Sequence, residues 1–213
     1  MSVHRAGTYR DALAGTFAPW VKVPYTIFVG SLIPLYWIYY GPSNFLWFSD
    51  IALLGTAIAL WFEHRLAASM MALAVLLPEI AWNIGFFNQL LGGPDIFGLA
   101  AYMYNPSMPP LLRGLSLFHV LLPPLLLWML YRLGYDPRAF YAQTALAWVV
   151  LPLSYRYARA PDQNINWTLG VGGDVPQTWM PGWLWVLLLM IAFPLLFYFP
   201  VHWMLQKWFP RPH

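Results

Sequence analysis

Six long apolar runs, separated by polar turns, leave this 213-residue chain few folds to choose from. They cover about residues 23–40, 45–62, 66–91, 114–133, 139–155 and 183–205. Each is near the ~20 residues that carry a helix across the hydrocarbon core of a bilayer. Inside lipid every backbone polar group must be bonded within the protein, and a helix does this without a partner. The expected fold class is therefore all-α: a polytopic membrane protein, a six-transmembrane-helix bundle forming one integral membrane domain over residues 1–213. Residues 1–22 read as a cytoplasmic N-terminal tail without the apolar stretch of a cleavable signal peptide. Residues 156–182 read as a long outer loop.

Composition agrees with this class. Hydrophobic residues make up 60% of the chain and charged residues 9%, against roughly 25% charged in soluble domains. Thirteen Trp and thirteen Tyr suit two interfacial belts. Arg5, Arg10, Lys22, Arg65, Arg132, Arg138, Lys207 and Arg211 fall on one side of the six-span plan, and Arg113, Arg156 and Arg159 on the other. The side richer in basic residues is expected to be cytoplasmic. Both termini are then cytoplasmic, in what reads as a bacterial inner membrane. The net charge of +3 is small and scattered near span ends, so no nucleic-acid partner is expected. Without cysteine there is neither a disulfide nor a thiolate site.

Three ionisable residues interrupt the apolar runs: Asp50, Glu79 and His119. A charge at the bilayer centre is costly, so such residues face a protein interior or a watery cavity and are candidate functional groups. In this topology all three belong to the outer half of the membrane. Glu79 lies about 20 Å from the inner face at 1.5 Å per residue. They sit on three different spans, as a site between the helices of a bundle requires.

Glu79 follows Pro78, which frees a backbone carbonyl one turn earlier and suits a kink lining a cavity. Asn83 lies one turn further along the same face. Ser116 lies three residues before His119, and Pro123-Pro124 follows within the span. Histidine can serve as base, metal ligand or axial ligand. For each of the three ionisable residues the alternative is a structural hydrogen bond between helices, and for Asp50, close to the interface, also a merely solvated carboxylate. The candidate catalytic set is His119, Glu79 and Asp50. Asn83, Ser116, Ser49 and Trp179 are the candidate substrate contacts. No cofactor is expected, and no metal, because neither an HExxH motif nor histidines one turn apart occur. In the outer loop, residues 162–167 and 172–174 supply polar groups and turn formers above the proposed site, as a lid or a solvated connector. Asn166-Trp167-Thr168 matches a glycosylation sequon.

Residues 44–54 (NFLWFSDIALL), 118–128 (FHVLLPPLLLW) and 176–184 (PQTWMPGWL) resemble an uncharacterised bacterial multi-span family described only as membrane-associated proteins. More distantly, spans two and four resemble the androgen-induced-gene family, intramembrane hydrolases of fatty-acid esters of hydroxy fatty acids. The resemblance falls on His119-Val120-Leu121-Leu122-Pro123 and implies a paired nucleophilic Thr. Trp47 stands where that Thr should be, so Ser49, Ser116 or an activated water would have to replace it.

The function expected from these features is a membrane hydrolase or acyltransferase acting on a lipid or lipophilic ester at the outer leaflet. His119 would be the base, oriented by Glu79 and Asp50. The alternative is a non-catalytic accessory or binding subunit of a membrane complex. The expected partners are membrane lipids and a lipophilic small molecule, with a membrane-protein partner under the second reading.

Overall fold

Gly41-Pro42 and Gly134-Tyr135-Asp136-Pro137 break the apolar pattern in sequence, and the chain turns at both. A computed structural model describes residues 17–158, 163–171 and 176–210. Helix α1 spans Pro19–Tyr40, α2 Phe48–Phe62 and α3 Arg65–Leu90. Helix α4 covers Pro110–Leu133, α5 Ala139–Tyr157 and α6 Gly182–Trp208. No strand occurs among the described residues. Most of the expected tail, together with Asp162 and residues 172–174, lies outside them; α1 already begins at Pro19, inside the stretch read as tail.

Four helices, α1, α3, α4 and α6, are long and apolar enough to cross a membrane. Helix α2 is apolar but has only 15 residues, a rise of about 22 Å against a hydrocarbon core of about 30 Å. The run expected to start at residue 45 enters as a 3₁₀ turn, Pro42–Leu46, because Gly41 turns the chain at φ 80° before α2 begins. Helix α5 has 19 residues but includes Gln143, Thr144, Ser154 and Arg156, which lower its apolar content.

Contacts at the two ends show that consecutive helices alternate in direction. At one end Lys22, at the start of α1, pairs with Glu63, just past α2, at 2.9 Å. There too the Tyr135 N–H donates to Phe209 O at 2.9 Å, and the Tyr135 hydroxyl meets His202 Nδ1 at 2.7 Å. At the other end Ser43 donates to Gln163 at 2.9 Å, and the Trp185 indole donates to Trp167 O at 2.8 Å. The start of α1 and the close of α6 therefore share one end.

Helix α3 is central. Half of its most apolar window is buried, against 22% for α1, and it packs against α2, α4, α5 and α6. Ala68, Ser69, Ala72 and Ala74 keep its buried face small, which lets neighbouring backbones approach closely. Gly55 does the same from α2, since a Cβ there would collide with the Met71 side chain. Ile27, Ile38, Ile58, Leu195 and Leu196 point outward, while Thr56, Ser69, Gln143 and Ser154 are buried. That distribution suits a lipid surround, where large apolar side chains gain nothing by turning inward. Within α6, Phe193–Tyr198 widens into a π-helical turn around Pro194, whose missing N–H cannot continue the ordinary ladder.

Asp136 locks the end that carries the α4–α5 turn. Its backbone N–H donates to Ser69 Oγ on α3 at 2.9 Å. Its carboxylate accepts from Arg138 Nη2 at 2.8 Å and from Arg65 Nη2 at 3.4 Å. The Arg138 hydrogen bonds hold the Asp136 carboxyl down at about 2. A carboxylate depressed by folding adds stability that is fully present above its unfolded value, near pH 3.9, and lost as pH falls through the folded value. Asp136→Asn should therefore lower the melting temperature at neutral pH, with the gap to wild type closing between about pH 4 and about pH 2. Thermal unfolding in nonionic micelles across that range checks this, and a gap independent of pH would refute it.

Candidate functional site

Pro78 and Leu117 set up the site from the backbone. Pro78 withholds an N–H inside α3, and Glu79 follows it with only 2% exposure. On the facing helix, the ladder of α4 is interrupted at Leu117, between Pro110–Ser116 and Phe118–Leu133, and His119 follows that break. The two side chains meet: His119 Nδ1 lies 2.9 and 2.8 Å from the two Glu79 carboxylate oxygens. Asn83 sits one turn above Glu79 and joins the helices through one amide. Its Nδ2 donates to Glu79 O and to His119 O, both at 2.8 Å.

Aromatic rings wall the imidazole. Trp82 stacks on it at 4.7 Å between centroids and Phe118 at 4.0 Å. The His119 side chain nevertheless keeps 13% exposure. Its Nε2 makes no hydrogen bond among the described residues, because both contacts to Glu79 run through Nδ1. An ionised carboxylate only accepts, so it selects the tautomer with the proton on Nδ1 and leaves Nε2 as the acceptor. That is the arrangement of a positioned general base.

Asp50 makes no hydrogen bond to this pair among the described residues. It occupies the first turn of α2, where a carboxylate complements the helix dipole, and Oδ2 accepts from Asn44 Nδ2 at 3.0 Å. Its Oδ1 is buried without a hydrogen bond. Asp50 remains within electrostatic reach of Glu79, Tyr36 and Tyr40. No group of three His, Asp or Glu side chains comes together as a metal-binding set among the described residues.

Ser116 donates to Leu112 O at 3.0 Å, which leaves Tyr36 to donate to the Ser116 oxygen, also at 3.0 Å. Its proton is thus held by its own helix. Ser49 is half-buried beside Asp50, and Trp47 caps α2 in an extended conformation. Trp179 is 67% exposed, edge-on to Trp185 in the segment leading into α6, with no contact to Glu79 or His119 among those described.

The described part of the long connection is fastened to the bundle. Asn166 accepts from the Phe48 N–H at 3.1 Å, and its Nδ2 donates to Leu46 O at 2.7 Å and Ser154 Oγ at 3.0 Å. Asn166 is buried and its amide fully engaged, so the sequon has no free acceptor in this fold. Gln163 donates to Tyr40 O at 2.8 Å. This segment caps the ends of α1, α2 and α5.

Trp82 and Tyr102 were not among the expected site residues. The Tyr102 hydroxyl faces Ser116 and the Trp82 indole N–H, without closing a full hydrogen bond to the indole. Trp82 was within reach of helical spacing, being three residues from Glu79 on α3. Tyr102 lies in a 3₁₀ turn, Ala101–Tyr104, inside a loop with no periodicity to announce it.

The double clamp by Asn83 has a measurable consequence. Asn83→Ala removes two hydrogen bonds between or along buried helices and should cost about 1–3 kcal/mol, since a carbonyl is left unsatisfied. Equilibrium unfolding in mixed micelles checks it, and an unchanged stability would show that His119 O finds another donor. No protein-family model, curated protein or solved structure matches this chain.

Proposed function

We propose that this chain is a six-span integral membrane enzyme that hydrolyses or transfers the acyl group of a lipid or lipophilic ester. The observation that carries the reading is the open Nε2 of His119, backed by a bidentate contact from buried Glu79 to Nδ1. In hydrolysis, Nε2 takes a proton from water as the water oxygen bonds to the ester carbonyl carbon. The tetrahedral intermediate then collapses, its carbonyl reforms, and the imidazolium returns the proton to the departing alkoxide. Glu79 holds the ring and offsets the charge of the imidazolium. With the Ser116 proton held by Leu112 O and Trp47 at the start of α2, water is the better-supported nucleophile.

The second reading, a non-catalytic accessory or binding subunit with a membrane-protein partner, is favoured by one observation. Asn83 bonds the backbones of α3 and α4 beside the pair, as a structural helix lock would. Activity separates the two. The purified wild-type protein should hydrolyse or transfer at least one member of a lipid-ester panel. His119→Ala should lower that rate by about 10²–10⁴-fold, and Glu79→Gln should lower it as well, because the amide keeps the shape and loses the charge. No turnover by wild type across the panel moves the assignment to the subunit. Turnover that survives His119→Ala removes the residue from the mechanism.

We place the protein in a bacterial inner membrane with both termini cytoplasmic. Lys22, Arg65, Arg132, Arg138 and Lys207 cluster at the end shared by Pro19 and Trp208, whereas Arg113 and Arg156 lie at the other. Basic residues favour the cytoplasmic side. In a chain with no native cysteine, Ser43→Cys should react with an impermeant maleimide from outside whole cells. Gln206→Cys should react only after lysis. The reverse pattern inverts the topology.

A further inference from the structure

Above the Glu79–His119 pair, toward the end that carries the long loops, stands a cation with no carboxylate partner among the described residues. Arg113 is half-buried near the start of α4. Among the described residues its side chain makes one hydrogen bond, from Nη1 to Met103 O, long at 3.4 Å, and no ion pair includes it. Its Nε is buried with no hydrogen bond among the described residues. On α3 the Gln89 amide Nε2 is likewise buried and without a partner among the described residues.

These two donors belong to the same level. Gln89 is seven residues beyond Trp82 on one face of α3, about 10 Å further out, and Arg113 is six residues before His119, about 9 Å further out. Trp82 and His119 stack on each other, and α3 and α4 run antiparallel, so both donors rise to similar height above the imidazole. Met103, whose carbonyl holds Arg113, packs with Trp82 in one apolar cluster. Three cations elsewhere in the bundle are answered by carboxylates, Lys22 by Glu63, and Arg65 and Arg138 by Asp136, while Arg156 and Lys207 lie over the rings of Tyr157 and Trp203. Buried N–H donors left without acceptors cost stability unless a ligand supplies the acceptor. A guanidinium fork is matched by an oxyanion, phosphate above all.

We propose that Arg113 and Gln89 bind the phosphate of a glycerophospholipid headgroup, seating its acyl esters below, toward Nε2 of His119. The inference takes its meaning from the ester-cleaving reading and identifies the substrate class as an anionic phospholipid. Depth favours phosphate over a free carboxylate. In a glycerophospholipid the acyl esters hang one glycerol unit inward of the anion, whereas a fatty acid has no ester beyond its carboxylate. Cationic pockets between spans are a known way to hold anionic headgroups.

The test is equilibrium binding of fluorescent phosphatidylglycerol to the full-length protein in phosphate-free nonionic micelles. Unlabelled phosphatidylglycerol should displace it; a diacyl glycolipid without phosphate, and inorganic phosphate, should not at the same concentration. Arg113→Gln should weaken binding about tenfold or more, the scale of one lost charge-assisted hydrogen bond, and Gln89→Leu by less. Arg113→Lys keeps the charge but loses the fork, so it should fall between, and it carries the test if Arg113→Gln does not fold. Arg156→Gln removes an exposed cation at the same end of the bundle and should bind as wild type does, and binding does not require turnover. Binding without turnover would thus keep this site while ending the enzyme reading. Wild-type affinity in folded Arg113→Gln or Arg113→Lys overturns the proposal, as does equal displacement by the glycolipid. Equal displacement by inorganic phosphate assigns the site to free phosphate and overturns the lipid. No binding of phosphatidylglycerol by wild type also overturns it.

Discussion

A buried carboxylate between apolar helices needs an answering group on another helix, and Glu79 has one in His119. Much of the arrangement around α3 follows from meeting that need. The contact requires α4 to approach α3 near Pro78 and Leu117, where both helical ladders are already relaxed. Asn83 then fixes the register by bonding a carbonyl on each helix. Breaking such a pair by removing one partner is far costlier than never having built it, because the survivor is left charged and unanswered. The same geometry turns Nε2 away from Glu79 and leaves it unbonded, so one interaction organises both the packing and the candidate chemistry.

The ends of the bundle are held by different chemistry. At the end rich in basic residues, Asp136 collects Arg65, Arg138 and Ser69, bringing the α4–α5 turn onto the start of α3. At the other end neutral amides do the fastening, with Asn166 bonded to α2, α5 and the 3₁₀ turn between α1 and α2. Asn166 and Trp167 take left-handed backbone conformations, φ 51° and 57°. Asn tolerates that region and an aromatic residue does so rarely. Those contacts are what hold the chain there. Between the two ends the small residues of α3 pack against buried Leu, Met and aromatic side chains, while many other large apolar side chains face outward.

The two helices that fall short of a simple span are instructive. Helix α2 loses its expected start to Gly41 and Pro42, which turn the chain before a helix can form. Helix α5 carries Gln143 and Ser154 on its buried side, where Tyr198 and Asn166 meet them. Both are sheltered by neighbours, α2 against α3 and α5 against α3 and α6. A helix sheltered by its neighbours can be shorter and more polar than one that faces lipid.

The sequence by itself determined the helices and the heights of their polar residues. Apolar run length, Gly-Pro breakers and rise per residue depend only on the local chain, and they located α1, α3, α4 and α6 to within a few residues. They also brought Glu79 and His119 to a common depth. Partner choice belonged to the tertiary structure. Asp50 shares that depth, yet its hydrogen bond goes to Asn44, because the rotation of α2 and the turn before it decide where its carboxylate points. Ser116 lies on the span of His119 but is held by Tyr36 of α1, and Tyr102 arrives from a loop that no periodicity describes. Spacing along one helix fixes a residue's face on that helix. Which helix stands opposite depends on the order and rotation of all six, and those emerge only when the whole bundle closes around α3.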